Sequence, residues 1–343
     1  MTVTALAGCS SKPADPTTAA TEAVTTTAAD SAADTAADTT AAEGAAAEDG
    51  KSYTIGIGQF AEHGSLDNCR EGFLQGLADE GIVEGQNLTI LYENAQADGG
   101  TASQIINNFI SKKADLICAI ATPIAQAAYG GAKKDNVPVI YTAVTDPVAA
   151  ALANEDGTPV GEVTGTSDKL PVEKQLEMIR KILPDAKKIG ILYCSAESNS
   201  EIQAQMARDA IAAAGMESQD FTVSSSNEIQ TVVQSMVGKV DAVYAPTDNT
   251  IAAGMTTVAM VANDNNLPVI CGESGMVNSG GLATYGIDYF QLGYMTGQQA
   301  VKILTEGASP ADMPIEYLKA ENCELTVNEE TAQTLGIDVS GLK

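Results

Sequence analysis

Five short segments of this chain gather hydroxyl and carboxylate side chains in one recurring setting, after an apolar run and before a helical pattern. They are Ala121-Thr122-Pro123, Ala143-Val144-Thr145-Asp146-Pro147, Ser195-Ala196-Glu197-Ser198-Asn199-Ser200, Pro246-Thr247-Asp248-Asn249-Thr250 and Gly272-Glu273-Ser274-Gly275. Ser, Thr, Asp and Asn are good helix N-caps, which accounts for about half of these residues. Capping does not account for their charge. None of the five segments holds Lys or Arg, whereas a phosphate or multiply anionic ligand calls for such cations. A single carboxylate can be held by helix N-termini and hydroxyls alone. Asp146, Glu197, Asp248 and Glu273 offer partners to a ligand cation. The combination favours a zwitterion such as an amino acid.

One His stands in the whole chain, His63, within Gln59-Phe60-Ala61-Glu62-His63-Gly64-Ser65. A lone His is more often structural than functional, but this one follows an apolar run beside Gln59 and Phe60, so a ligand contact is equally open. Phe60 or Tyr289 could form an aromatic lid over a ligand. A nucleophile, base and orienting partner cannot be assembled when one His would have to serve, so no enzyme and no cofactor are expected. The same scarcity leaves little room for a His-rich metal site. Cys69, Cys118, Cys194, Cys271 and Cys323 lack C-x-x-C spacing and define neither a zinc site nor a disulfide framework.

Gly56-Ile57-Gly58-Gln59-Phe60-Ala61 matches G-x-G-x-x-G/A, so an NAD-dependent oxidoreductase is a rival reading. The fingerprint needs a helix that opens directly on the phosphates. Here Gly56 lies within the apolar run and the next helix begins near Ser65.

The elements that must position these segments repeat a β-α pattern twice. Strands are expected at Tyr53–Gly58, Leu88–Tyr92, Asp115–Ile120 and Val137–Tyr141, then at Ile189–Tyr193, Asp220–Val223, Val240–Tyr244 and Pro268–Cys271. Between them lie amphipathic segments at Leu66–Glu80, Ala102–Ser111, Ile124–Lys134, Val172–Leu183, Glu201–Ala214, Glu228–Val237 and Thr250–Asn263. Continuous apolar strands joined by helices imply parallel sheets covered on both faces. The fold class is therefore α/β, with two Rossmann-like lobes and a ligand cleft between them, at the carboxyl ends of the strands. Gly281–Ile287, a helix from Tyr289 to Leu304, and Cys323–Val327 complete the pattern, with a first crossing between lobes at Val163–Asp168. The expected organisation is a tail over 1–50, a first lobe over 51–166 completed by about 288–314, and a second over 167–287 completed by about 315–343.

With 18 Lys+Arg against 45 Asp+Glu, the 343-residue chain carries a net charge of −27. Binding to nucleic acid needs cations that displace phosphate counterions, so that class is excluded. Direct adhesion to an anionic membrane surface is excluded on the same ground. No run of 18 or more apolar residues occurs that could span a bilayer. Residues 1–50 hold one Lys and eight acids in an Ala/Thr-rich background, the composition of a disordered acidic tether. Leu6-Ala7-Gly8-Cys9 ahead of it looks like a lipobox with Cys9 as the lipidated residue, though the basic region and most of the apolar region that precede such a motif are missing.

Ile57-Gly58-Gln59 with His63, Glu84-Gly85-Gln86-Asn87, Asn94-Ala95-Gln96, Ala121-Thr122-Pro123-Ile124-Ala125-Gln126-Ala127, Val144-Thr145-Asp146-Pro147, Thr164-Gly165-Thr166-Ser167-Asp168, Pro246-Thr247-Asp248-Asn249-Thr250 and Gly286-Ile287-Asp288-Tyr289 together resemble the ABC-transporter substrate-binding proteins of the tryptophan/tyrosine, or aromatic amino acid, type. The resemblance runs in order from about Tyr53 to Leu342. It implies a type I periplasmic-binding fold, a lipoprotein on the outer face of the cell membrane, and an ABC permease and ATPase as partners. Carried onto matching positions, it makes Gln59, His63, Thr122, Ser198, Asn199, Asp248 and Asp288 cleft residues. Asp248 is then expected to hold the ligand ammonium, and Thr122, Ser198 and Asn199 the carboxylate. Phe60, Thr145, Asp146, Asn249 and Tyr289 complete the expected ligand-binding set. Many relatives carry Asn-Pro where this chain has Cys194-Ser195, so that loop is expected to differ in shape. The resemblance implies capture by hinge closure in a monomer, with a sensor that feeds a membrane signalling receptor as the second reading.

Overall fold

The computed structural model describes residues 50–318 and 323–342; Cys9 and the expected tether up to residue 49 lie outside the described residues. The first part of the chain runs β1 (Tyr53–Gln59), α1 (Gly64–Ala78), β2 (Leu88–Asn94), α2 (Gly99–Ser111), β3 (Leu116–Ile120), α3 (Thr122–Ala132), β4 (Val139–Thr142) and β5 (Val163–Ser167). Every residue of β3 and β4 is buried. That is the pattern of strands covered by helices on both faces, which an uninterrupted apolar run encodes.

The second part runs α4 (Val172–Ile182), β6 (Lys188–Cys194), α5 (Ser198–Ala213), β7 (Glu217–Val223), α6 (Ile229–Met236), β8 (Ala242–Ala245), α7 (Asn249–Ala253), α8 (Met255–Asp264), β9 (Val269–Cys271), α9 (Ser274–Asn278) and β10 (Ala283–Gly286). The expected single helix over Thr250–Asn263 is two helices. They part at Gly254, where a β-carbon would lie 2.3 Å from Ile229 Cδ1 of α6. Then follow α10 (Tyr289–Val301), β11 (Glu316–Tyr317), β12 (Glu324–Val327) and α11 (Glu329–Leu335).

These strands form two six-stranded sheets, ordered β11-β5-β4-β3-β1-β2 and β12-β10-β9-β8-β6-β7. All pairings are parallel except β10 with β12. The chain therefore crosses between the sheets three times: after β5, after β10, and after β11, which pairs with β5 before the chain returns to the second sheet. No described helix is long and apolar enough to cross a membrane.

The glycines of the apparent dinucleotide fingerprint have a packing role. A β-carbon on Gly56 would lie 2.5 Å from the Phe109 ring of α2, and one on Gly58 would lie 2.7 Å from Ile124 of α3. Both sit inside β1, and the following helix opens only at Gly64. Helices α1 and α10 approach still more closely. A β-carbon on Gly72 would fall 2.0 Å from the Phe290 carbonyl oxygen, and one on Gly293 would fall 2.0 Å from that of Cys69. Phe73 and Leu77 of α1 are fully buried beside this contact, each contributing about 1.5–3 kcal/mol relative to an exposed position. The helix pair thereby fixes Tyr289, the first residue of α10, against the end of the first sheet.

Candidate functional site

The hydroxyl- and carboxylate-rich segments all emerge at the carboxyl ends of their strands, and those of the two sheets meet. His63, ahead of α1, places Nε2 3.4 Å from Asn249 Oδ1 of α7 and Nδ1 3.3 Å from Glu273 Oε1. Ser65 of α1 faces α9 so closely that a β-carbon on Gly275 would lie 2.7 Å from its Oγ. The imidazole is 6% exposed and the Glu273 side chain 1%, so the two sheets are closed on one another here.

On the first sheet, Gln59 is fully buried and braces the loop that carries Phe60 and His63. Its Nε2 donates to Ala61 O (2.8 Å) and Asp67 Oδ1 (2.9 Å), and its Oε1 accepts from Arg70 Nη1 (2.7 Å). Phe60 belongs to the first hydrophobic core. Thr122 Oγ1 accepts from the Thr145 backbone N–H at 3.3 Å, linking two of the segments. Asp146 turns back on its own loop, accepting from the N–H groups of Val148 and Ala149, with Lys169 Nζ 3.8 Å away. Asp288 is exposed and caps α10 through Phe290 N and Gln291 N. Tyr289 is buried and its hydroxyl donates to Asp168 Oδ2 at 3.0 Å. Ala121, just before α3, holds φ at +92°, a conformation a non-glycine residue keeps only where its surroundings impose it.

On the second sheet, Glu197 organises the loops. Its Oε1 accepts from the backbone N–H (2.9 Å) and hydroxyl (2.8 Å) of Thr250. Its Oε2 accepts from Asn249 N (3.2 Å), Asn249 Nδ2 (2.5 Å) and Asn199 Nδ2 (3.4 Å). Asp248 is held within its own sheet, Oδ2 accepting from Cys194 N (2.5 Å) and Oδ1 from Ile251 N (2.7 Å), the latter as the cap of α7. Burial and the Glu197 charge raise its pKa. Asn199 Nδ2 also donates to Thr247 O. Ser198 is exposed at the first turn of α5.

Several buried polar atoms on these facing loops have no hydrogen-bond partner: Ser65 Oγ, Asp168 Oδ1, Asn199 Oδ1 and Thr247 Oγ1. Buried polar atoms are ordinarily paired, so this concentration marks a surface made to meet polar groups of something else. Burial pushes Asp168 up to about 6 against the opposing hydrogen bonds from Tyr289 and Thr145. A carboxylate in that state gains most from a cation placed beside it.

Charge-type reasoning on the sequence includes Glu197 and Glu273 among the possible cation partners but does not single out Asp168, Ser65 or Thr247. The one available signal for Asp168 is its place directly after β5, where the chain first leaves its sheet. The five described cysteines are free, and all but Cys323 are buried.

Two parallel sheets linked by three crossings, with unpaired polar atoms on the loops between them, define a two-lobed binding protein of the type I periplasmic-binding fold. The family described as ABC transporter substrate binding protein matches residues 54–341, and the chain belongs to it. As a member, it is an extracytoplasmic protein that presents a small molecule to an ABC transporter. It is 43% identical over 293 residues to a tyrosine-binding protein of Clostridioides difficile, covering 85% of this chain and 84% of that one. It is similar to a crystal structure of an ABC domain in complex with L-Trp from Streptococcus pneumonia, with 37% identity, a TM-score of 0.80, and coverage of 84% of this chain and 96% of that one. A ligand-free, open substrate-binding protein from Clostridium difficile is 42% identical but superposes with a TM-score of 0.62, covering 83% and 95% of the two chains. The chain thus sits nearer in shape to the L-Trp complex than to the open form, although the open form is nearer in sequence.

Proposed function

We propose that the chain captures an aromatic amino acid between its lobes by hinge closure and hands it to the permease and ATPase of an importer. The observation that carries this reading is a buried carboxylate oxygen without a hydrogen-bond partner, Asp168 Oδ1, on a residue that also feels the Glu273 charge. A ligand ammonium set between Asp168 and Glu273 answers it. The ligand carboxylate then falls to the N-termini of α3 and α5, with Thr122, Ser198, Asn199 and Thr145 as hydroxyl and amide partners. Asp168 takes the ammonium role in place of Asp248, because both Asp248 oxygens already accept from backbone N–H groups. Asp248, Asn249 and Glu197 instead hold the second lobe's face in shape. The names of the relatives, a tyrosine-binding protein and an L-Trp complex, support an aromatic side chain on the ligand. Binding and release are the whole activity in this reading, with no covalent step.

The lobes of the proposed hinge are the two sheets with their helices, divided near residues 166 and 287. We also propose that Cys9 is lipidated, that the acidic segment after it tethers a monomer to the outer face of the membrane, and that no cofactor takes part.

A thermal-shift screen of residues 51–343, unfolded and refolded to strip carried ligand, tests the ligand class against the twenty amino acids, nucleobases, small sugars and NAD. A ligand at 100 times its Kd adds about 2.7 kcal/mol to the folded state. A rise in Tm confined to Phe, Tyr or Trp is expected. A flat response to every amino acid, with a rise for another class, would remove the assignment.

A further inference from the structure

Resting on the ligand-capture reading, we propose that His63 is a positioning residue that latches the two lobes, and that it does so only as the imidazolium, so that capture takes up a proton.

Both ring nitrogens face oxygen atoms of the opposite lobe. Nε2 lies 3.4 Å from Asn249 Oδ1, and Nδ1 lies 3.3 Å from Glu273 Oε1. The Asn249 amide cannot be turned to offer a donor instead. Its Nδ2 donates to Glu197 Oε2 at 2.5 Å, which leaves the carbonyl oxygen toward the ring. A neutral imidazole has one N–H and one lone pair, so either tautomer would aim a lone pair at an oxygen. Only the doubly protonated ring can satisfy both. The latch also reaches the ligand-facing atoms, because Glu273 is the carboxylate proposed to share the ammonium with Asp168.

The charged and titratable groups around the ring are all accounted for by these loops. Glu273 approaches from the loop between β9 and α9, and Glu197 acts from the loop between β6 and α5 through Asn249. Behind Glu273 lie Asp168 after β5, Tyr289 of α10 and Cys69 of α1, each of which feels the Glu273 charge. Glu62, next to His63 in the chain, is exposed. Burial alone would lower the imidazole pKa; the Glu273 charge and the hydrogen bonds to Glu273 and Asn249, with the Glu197 charge, more than offset it. Opening the lobes removes these partners. The closed-state pKa is therefore above the open-state one. The latch is fully present below the open-state pKa and is lost as pH rises through the closed-state value. Between the two, affinity falls by up to about tenfold per pH unit.

The chain has a single His, so 15N-histidine labelling gives an unassigned but unambiguous imidazole spectrum. Spectra are recorded with and without saturating L-tyrosine or L-tryptophan at pH 6–9. At pH 7.5 the expected result is a doubly protonated ring in the saturated protein and a mostly neutral ring in the free one. A singly protonated ring in the saturated protein, or identical titration curves, would overturn the latch. If neither amino acid binds, the ligand reading falls by itself and the latch is judged on the free chain by small-angle X-ray scattering. Wild type should then be more compact at pH 6 than at pH 8, whereas His63→Gln should be equally compact at both. Identical behaviour of the two proteins would overturn the proposal.

Discussion

The Tyr289 hydroxyl donates to Asp168 Oδ2 at 3.0 Å, and the two residues belong to different crossings of the chain. Asp168 stands where the chain leaves the first sheet after β5, and Tyr289 where it returns to that sheet after β10. One buried hydrogen bond thus ties two of the three crossings together beside the proposed ligand ammonium.

Removing the donor leaves a buried carboxylate oxygen unpaired, which costs about 1–3 kcal/mol. Tyr289→Phe should therefore lower the Tm of the ligand-free protein by several degrees. Differential scanning calorimetry against wild type measures it, and an unchanged Tm would mean that the hydrogen bond contributes nothing to the joint.

Asp168→Asn should separate stability from binding. Deleting one partner of a buried charge pair costs about 3–5 kcal/mol, so affinity for the ligand should fall by well over tenfold in isothermal titration. The ligand-free variant should melt at or above wild type near neutral pH, since position 168 no longer carries a buried charge. The pH dependence follows in sign. The folded-state pKa of about 6 lies above the ordinary 3.8, so the folded state holds the proton more tightly. Its contribution therefore weakens the wild type as pH rises from about 4 to about 6 and is level above that. The Tm difference between variant and wild type should grow over that window and then stay constant.

Gly275→Ala tests closure without removing a polar group. The added carbon would sit 2.7 Å from Ser65 Oγ and 3.1 Å from Ser65 N, both on the other lobe. Overpacking of this kind costs about 1–3 kcal/mol, here only in the closed arrangement. The ligand-free Tm should be unchanged while affinity drops about tenfold or more. A variant that binds as wild type does would show that the lobes do not approach there.

Glu197→Gln replaces an acceptor-only group that takes five hydrogen bonds from Thr250, Asn249 and Asn199. The new amide would set an N–H against donors, at a cost of about 1–3 kcal/mol for each unsatisfied group. Thermal melts should show a loss of stability, and ligand affinity should fall with it because Asn249 no longer meets His63. Retained stability together with retained affinity would remove the organising role of Glu197.

The β-α alternation, the parallel sheets and the carboxyl-end loops were legible in the sequence, because apolar runs and helical periodicity are local patterns with one stable solution. Ser, Thr, Asp and Asn at helix starts were legible for the same reason. Asp248 and Asp168 show where that legibility ends. Both are acids after a strand, and nothing in their type distinguishes them. Tertiary packing brings the N–H groups of Cys194 and Ile251 to Asp248, while it buries one oxygen of Asp168 with no donor at all. Gly56 and Gly58 likewise match a phosphate-binding spacing until Phe109 and Ile124 are seen packed over them. His63 carries no sign in sequence of which oxygens will face its ring. Residue types and spacing determined which elements form and which groups stand at their ends. Which lone pairs and protons remain for a ligand depends on partners far apart in the chain, and only the folded arrangement of the two sheets decides that.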